Sequence, residues 1–267
     1  MNVAPPDSAI LSMLHDCALV VRDTVAETAD WDAPGRRSEQ YEVDLVADAV
    51  AVEFLTRYGT NVLSEESGHH DQGATITVII DPIDGTSNAI RGLPWFATSL
   101  CAIDDSGPIA AVVLDLSSGT MYDARRDAGA HANGVAIHAS ACERLSDAFV
   151  GYSGSPQQRM CWASGRTIGS IALALCHVAT GSLDGFIDLD LDVHGVWDYA
   201  GALLICREAS AHCSESLGRP LMVLEHAARR SPIVAGTPSL LGDLQRVART
   251  DVRGADGIPQ RRKAERS

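Results

Sequence analysis

The apolar segment Ile76-Thr77-Val78-Ile79-Ile80 runs without a break into Asp81-Pro82-Ile83-Asp84-Gly85-Thr86. A short run rich in β-branched residues reads as a buried strand, and Pro and Gly read as the turn that ends it. Any fold built on this chain must therefore bring a strand to a point where two carboxylates and a hydroxyl crowd into one tight turn. Upstream, Glu65-Glu66 closes another short apolar segment, Val62-Leu63, and far downstream Trp197-Asp198 opens a helical stretch. Acids that follow strands collect along one edge of a sheet. Hard divalent cations such as Mg²⁺ take oxygen ligands in octahedral geometry, so carboxylates converging from separate segments suit one well.

With 267 residues the chain is long enough to bury a sizeable core, as one large domain or two closely joined halves. Its formal charge of −14 argues against a broad basic face for nucleic acid, whose backbone is held mainly by clustered Lys and Arg. An acidic protein that handles phosphate must import positive charge, and a divalent metal does so locally. The seven cysteines are scattered with no two-apart pairing, which argues against zinc ribbons and redox pairs and for a reducing, cytoplasmic setting. Met1 to Ser8 lacks the pattern of a secretory signal, and no apolar run is long enough to cross a bilayer, so no membrane partner is expected.

Apolar positions at helical spacing (Ile10, Leu11, Leu14, Ala18, Val21, Val25) predict a long amphipathic helix over Ser8 to Thr28. A loop from Asp30 to Tyr41 follows, with Pro34-Gly35 and Arg36-Arg37, then a second helix from about Val43 to Tyr58, stopped by Gly59. Strands are expected at Val62-Leu63, Ile76 to Ile80, Phe96 to Ile103, Ile109 to Leu114, Thr120 to Asp123 and Gly129-Ala130, with Ala132-Asn133-Gly134 as a hairpin signal. Two helices and a meander of strands make an α+β half over residues 1–136. Residues 137–250 alternate: helix Ser170 to Thr180, strand Gly185 to Leu189, helix Trp197 to Glu208, strand Ile233 to Ala235, helix Ser239 to Val247. That half predicts layered α/β packing and carries Asp198. The polar tail, Asp251 to Ser267, holds Arg261-Arg262-Lys263 and is expected to lack order.

Glu65, Asp81 and Asp84 are the leading cation ligands, with the Ile83 carbonyl as a further oxygen donor. Gly85 lets a ligand approach the backbone, amides at the following helix start can receive phosphate oxygens, and Thr86 can ligate metal and orient a water. A lone Asp-Gly-Thr would be an ordinary capped turn. The six-residue run, with a paired Glu before it and Trp-Asp after it, points instead to metal-dependent cleavage of a small phosphate ester. His69-His70 reads as an exposed loop rather than an added metal site.

These motifs, with Glu65-Glu66-Ser67, Asp81 to Asn88, Arg166 to Leu173 and Trp197-Asp198-Tyr199-Ala200-Gly201, resemble the inositol monophosphatase family of Mg²⁺-dependent, lithium-sensitive phosphatases. The resemblance implies a layered α-β-α-β-α sandwich, a homodimer, and two or three Mg²⁺ ions. By position, Glu65, Asp81, Ile83 and Thr86 would surround the first metal and Asp81, Asp84 and Asp198 the second, with a third, weaker ion near Glu65. Glu65 and Thr86 would activate the nucleophilic water, and Gly85 and Thr86 would bind phosphate. Asp84, Gly169, Ser170, Asp188 and Asp198 would face the alcohol. The chain departs from the family in having Arg36-Arg37 where a Lys is usual, Leu45-Val46-Ala47-Asp48 where a Thr-containing segment precedes an acid, and a long stretch from Asp188 to Gly195. Asp48 is thereby placed as a water-mediated partner of the third metal. The expected activity is hydrolysis of myo-inositol monophosphate. Fructose 1,6-bisphosphate, histidinol phosphate and 3′-phosphonucleotides are the alternatives within the chemistry, and a catalytically silent metal-binding regulator is the alternative outside it.

Overall fold

In the computed structural model, residues 7–29, 31, 33, 35 and 41–253 are described. Arg36-Arg37 and the basic cluster Arg261-Arg262-Lys263 lie outside them, as does most of the expected tail. Two helices, α1 (Asp7–Glu27) and α2 (Glu42–Arg57), precede eight strands: β1 (Asn61–Ser64), β2 (Gly68–His70), β3 (Thr77–Asp84), β4 (Ala97–Asp104), β5 (Gly107–Asp115), β6 (Met121–Arg125), β7 (Ala130–Ala132) and β8 (Val135–Ala136). A short helix, α3 (Thr86–Ile90), sits between β3 and β4. The rest alternates as β9 (Phe149–Ser153), β10 (Ser164–Arg166), α4 (Ile171–Ala179), β11 (Gly185–Asp188), α5 (Val196–Glu208), β12 (His212–Glu215), β13 (Pro232–Ala235) and α6 (Pro238–Arg253).

The first sheet has the order β2-β1-β3-β4-β5-β6-β7-β8, and the second β10-β9-β11-β13-β12. Within the first sheet β1 and β3 run parallel while the other neighbours are antiparallel. This parallel pair places the ends of β1 and β3 side by side, so Glu65 and Asp81 leave the sheet at one edge.

Three apolar clusters define the layers. Leu14, Val21, Leu55, Val78, Ile80 and Val112 join α1 and α2 to one face of the first sheet. Ile79, Leu173, Leu175, Leu203, Phe186 and Val234 fill the space between the sheets around α4 and α5. Val150, Ile187, Ile233, Leu240 and Leu244 seat α6 on the outer face of the second sheet. The order is α-β-α-β-α. Strand β3 alternates between the first two clusters, with Ile79 facing α5 and Val78 and Ile80 facing α1 and α2, as a period of two requires.

Several boundaries differ from the sequence reading for local reasons. Strand β3 does not stop at Ile80 but continues to Asp84 through a shift in register between Asp81 and Asp84. Pro82 has no amide to give the ladder, and at this bulge its carbonyl is satisfied instead by the Thr98 hydroxyl at 2.8 Å. Helix α6 extends to Arg253, beyond Val247 and into the segment expected to lack order. His69-His70 forms a strand, pairing with Val62 and Leu63, and His70 Nε2 lies 2.7 Å from the Ser67 hydroxyl. The Asn133-Gly134 turn is as expected: both residues have positive φ (49° and 76°), and Ala132 pairs with Val135 across it.

Candidate active site

Three elements deliver the acids. Glu65 follows β1, and its amide still reaches the Ile80 carbonyl at 3.2 Å. Asp81 and Asp84 occupy the bulged end of β3, and Asp198 lies in the first turn of α5. Glu65, Asp81 and Asp198 each offer an oxygen within 4.8 Å of the others. Glu65, Asp81 and Asp198 thus meet at the seam between the end of the first sheet and the start of α5, with Asp84 near enough for its charge to act on Glu65 and Asp81.

Their surroundings fit a cation. Burial, followed by repulsion from neighbouring acids, pushes Glu65 and Asp81 well above the usual carboxylate range. Burial and the Asp198 charge raise Asp84 to about 7, although the Ser170 hydroxyl and the Ala172 amide hold its carboxylate at 2.6 and 2.7 Å. So many buried acids facing one another are tolerable with positive charge between them, and an all-oxygen set selects Mg²⁺ or Mn²⁺ over softer metals.

Gly85 caps α3 with φ +93°, and a Cβ there would lie 2.9 Å from the Trp95 carbonyl and 3.2 Å from that of Gly169. Only glycine fits. Asn88 ties this corner to the second half of the chain, donating to the carbonyls of Trp95 (2.9 Å) and Ile168 (2.6 Å). The Thr86 hydroxyl has one proton and two acceptors in reach, Ile83 O at 2.8 Å and Asp44 Oδ1 at 2.9 Å.

Asp44 is the acid that the sequence reading missed. Its other oxygen accepts the Tyr41 amide at 3.0 Å, and burial, partly offset by these hydrogen bonds, lifts it to about 6. Asp48 instead accepts the Ser64 hydroxyl, and Ser64 in turn receives the Glu66 amide at 3.1 Å. The two acids stand one turn apart on the same face of α2, so spacing alone does not choose between them. The contact with Thr86 puts Asp44 beside the acidic cluster, while Asp48 faces Ser64.

A cavity of about 270 Å³ opens beside Asp84 and is lined by Tyr152, Ser153, Gly169, Ser170 and His194 among others. Gly169 and Ser170 thus stand together with Asp84 on its wall. Asp188 is not at the surface of this cavity: it is 1% exposed and stands behind Ser153 and His194. Ser153 donates to Asp188 Oδ1 at 2.6 Å, while His194 lies 3.3 Å from Asp188 Oδ2 through Nε2 and 3.3 Å from Asp198 Oδ2 through Nδ1. Burial lowers the pKa of His194, but the Asp198 hydrogen bond and the nearby carboxylates outweigh it and carry it to about 8. A larger groove between α1 and α2, lined by Leu45, Val46 and Val50, contains none of these groups.

Comparisons with known proteins give the class, a phosphatase. The chain belongs to the inositol monophosphatase family, whose model matches residues 27–243. It is 33% identical over 200 residues to a fructose-1,6-bisphosphatase/inositol-1-monophosphatase of Thermococcus kodakarensis, covering 72% of this chain and 76% of that one. It is 32% identical over 219 residues to the Nus factor SuhB of Salmonella typhimurium, covering 74% and 78%. Among solved structures, a hypothetical protein from Pyrococcus horikoshii with similarities to inositol-1 monophosphatase superposes with a TM-score of 0.76 at 25% identity, over 90% of this chain and 96% of that one.

Proposed function

We propose that the chain is a Mg²⁺-dependent phosphomonoesterase whose substrate is a monophosphorylated, hydroxyl-rich alcohol, with myo-inositol monophosphate foremost. The observation that carries this choice is the polarity of the cavity beyond Asp84. Ser153 gives its only proton to Asp188, so its oxygen meets a ligand as an acceptor, which a substrate hydroxyl can satisfy and a phosphate dianion cannot. His194 is engaged on both sides: Nδ1 lies 3.3 Å from Asp198 Oδ2, and Nε2 lies 3.3 Å from the Ser153 hydroxyl oxygen and 3.3 Å from Asp188 Oδ2. Arg166 turns back onto its own strand, donating to Ser164 Oγ at 2.5 Å and to the Gly165 carbonyl at 2.9 Å. Asp190 packs behind Gly154, which lines the cavity. A second phosphate would thus find Arg166 and His194, each already engaged by groups of the chain, as the basic side chains among the described residues lining the cavity.

The residues of the chain divide the work of phosphoryl transfer, which needs positioning and charge neutralisation more than covalent chemistry. Glu65, Asp81, the Ile83 carbonyl, Asp84, Thr86 and Asp198 would hold Mg²⁺, which would supply charge to offset the phosphoryl oxygens and make water a stronger acid. Thr86, whose one proton is shared between Asp44 Oδ1 and the Ile83 carbonyl, presents a lone pair that would orient water, and Glu65 would accept the proton that water gives up. Gly85 and Thr86 offer backbone amides to the phosphoryl group. Ser170 and the Ala172 amide fix Asp84 toward the leaving alcohol.

The names of relatives keep fructose 1,6-bisphosphate as the second reading. Phosphate release from a panel of esters, with and without Mg²⁺, separates the two. Inositol 1-phosphate is expected to be turned over best, Asp190→Arg to raise the share of fructose 1,6-bisphosphate, and Asp81→Asn to abolish release from every ester. Preference for the bisphosphate in the parent protein would reject the first reading. The expected assembly is a homodimer, checked by light scattering. A cytoplasmic setting fits seven cysteines that all stand unpaired, and among the described residues no helix is long and apolar enough to cross a membrane.

A further inference from the structure

Glu65 reaches the cation site from the end of strand β1 and Asp198 from the first turn of helix α5, and both are held by one short segment that neither the motifs nor the proposed chemistry has used. Residues 219–230 connect β12 to β13 and cross over the start of α5. The segment is pinned at both ends: Leu221 O accepts the Tyr199 hydroxyl at 2.8 Å, and the main chains of Arg230 and His194 exchange hydrogen bonds of 2.9 and 3.2 Å. At its middle, His226 lies on the Trp197 ring with centroids 4.6 Å apart, and the Arg229 guanidinium carbon is 4.9 Å from the same ring. Arg229 also donates to the His226 carbonyl at 2.8 Å. Trp197 is 2% exposed, directly precedes Asp198, and packs so closely on Gly195 that a Cβ there would stand 2.3 Å from the ring.

From this seat His226 Nε2 reaches the Glu65 carbonyl at 3.1 Å, a contact spanning 161 positions of sequence. A carbonyl can only accept, so Nε2 carries the hydrogen whatever the state of the other nitrogen. The Glu65 amide is occupied by β3, and its carbonyl lies past the end of β1. His226 supplies that missing partner.

We propose that His226 is a positioning residue: its Nε2–H fixes the Glu65 main chain against Trp197, and so sets the separation of Glu65 and Asp198 within the cation site. Partners of this kind, one step removed from a metal, orient its ligands and are costly to lose. The inference rests on the cation-site reading above.

The test is magnesium binding by calorimetry in the absence of ester, read beside steady-state kinetics. His226→Phe keeps a ring against Trp197 but removes the donor, while His226→Gln restores a donor. The Phe variant is expected to bind Mg²⁺ about tenfold more weakly and to lose kcat at a fixed subsaturating Mg²⁺ concentration, with ester KM changed less than about twofold, and Gln is expected to recover most of the loss. Magnesium affinity equal to the parent's in the Phe variant, or equal losses in Phe and Gln, would overturn the proposal. Should the Phe variant not fold, Arg229→Met decides. It frees the His226 carbonyl without touching Glu65, and a loss of about threefold supports the role, while parental affinity removes it. A parent protein that binds no magnesium would instead sink the cation-site reading itself.

Discussion

At the scale of single residues, the site depends on which acid faces which hydroxyl. Asp44→Ala is expected to lower kcat about 10- to 100-fold by releasing Thr86, and to cost about 0.5–2 kcal/mol of stability through the lost cap of α2. Asp48→Ala, which strands the Ser64 hydroxyl, should cost about 1–3 kcal/mol of stability and far less activity. Kinetics and denaturant melts on the two variants check the assignment. A second prediction follows from Asp84, whose carboxyl titrates near 7 in the metal-free fold against an ordinary value of 3.8. The folded state then holds the proton more tightly than the unfolded chain, so stability is greatest below about pH 4 for this group and is lost as pH rises toward 7. His194, raised to about 8, works in the same direction at higher pH. Melting in chelator should therefore fall between pH 5 and pH 8, and Asp84→Asn should flatten the slope and melt higher than the parent at pH 8. The acids themselves were legible in the sequence because each stands at an abrupt break in an apolar run. Asp44, His194 and His226 were not, since each acts through a partner remote in the chain: Thr86, Asp188 and Glu65.

At the scale of elements, helices and central strands followed from periodicity, with Val78, Ile79 and Ile80 marking β3 and Leu14, Ala18 and Val21 marking α1. The missed pieces are short or mixed. Strand β12, His-Cys-Ser-Glu, has no apolar face to announce it and is fixed by pairing with β13. Strand β10 is three residues long and pairs only with β9. Close backbone approaches are also invisible in one dimension. Gly201 in α5 lies where a Cβ would meet the Leu100 carbonyl of β4 at 2.9 Å, so Gly201→Ala should destabilise by about 1–3 kcal/mol through overpacking. Gly85→Ala meets the same obstacle at the Trp95 carbonyl and adds the strain of positive φ, so it should lose both stability and turnover. Thermal melts with parallel assays distinguish them: Gly201→Ala is expected to keep its kcat when folded, and Gly85→Ala is not.

At the scale of the whole molecule, a chain of formal charge −14 gathers a cluster of acids at the seam between the end of its first sheet and the start of α5. A cation that binds only the folded arrangement must stabilise it by mass action, so magnesium at about 100 times its Kd should raise stability by roughly 2.7 kcal/mol. Calorimetric melts across a magnesium titration measure this, and Asp198→Asn should remove most of the gain. Helix α5 gives the seam a further property. It packs on β3, β4 and β5 of the first sheet and on β12 of the second, while its first turn holds Asp198. A chain nicked between residues 137 and 148 would leave Glu65, Asp81 and Asp84 on one fragment and Asp198 on the other. Neither piece would own a whole ligand set, so uptake of the ion would itself signal that the two had found each other again.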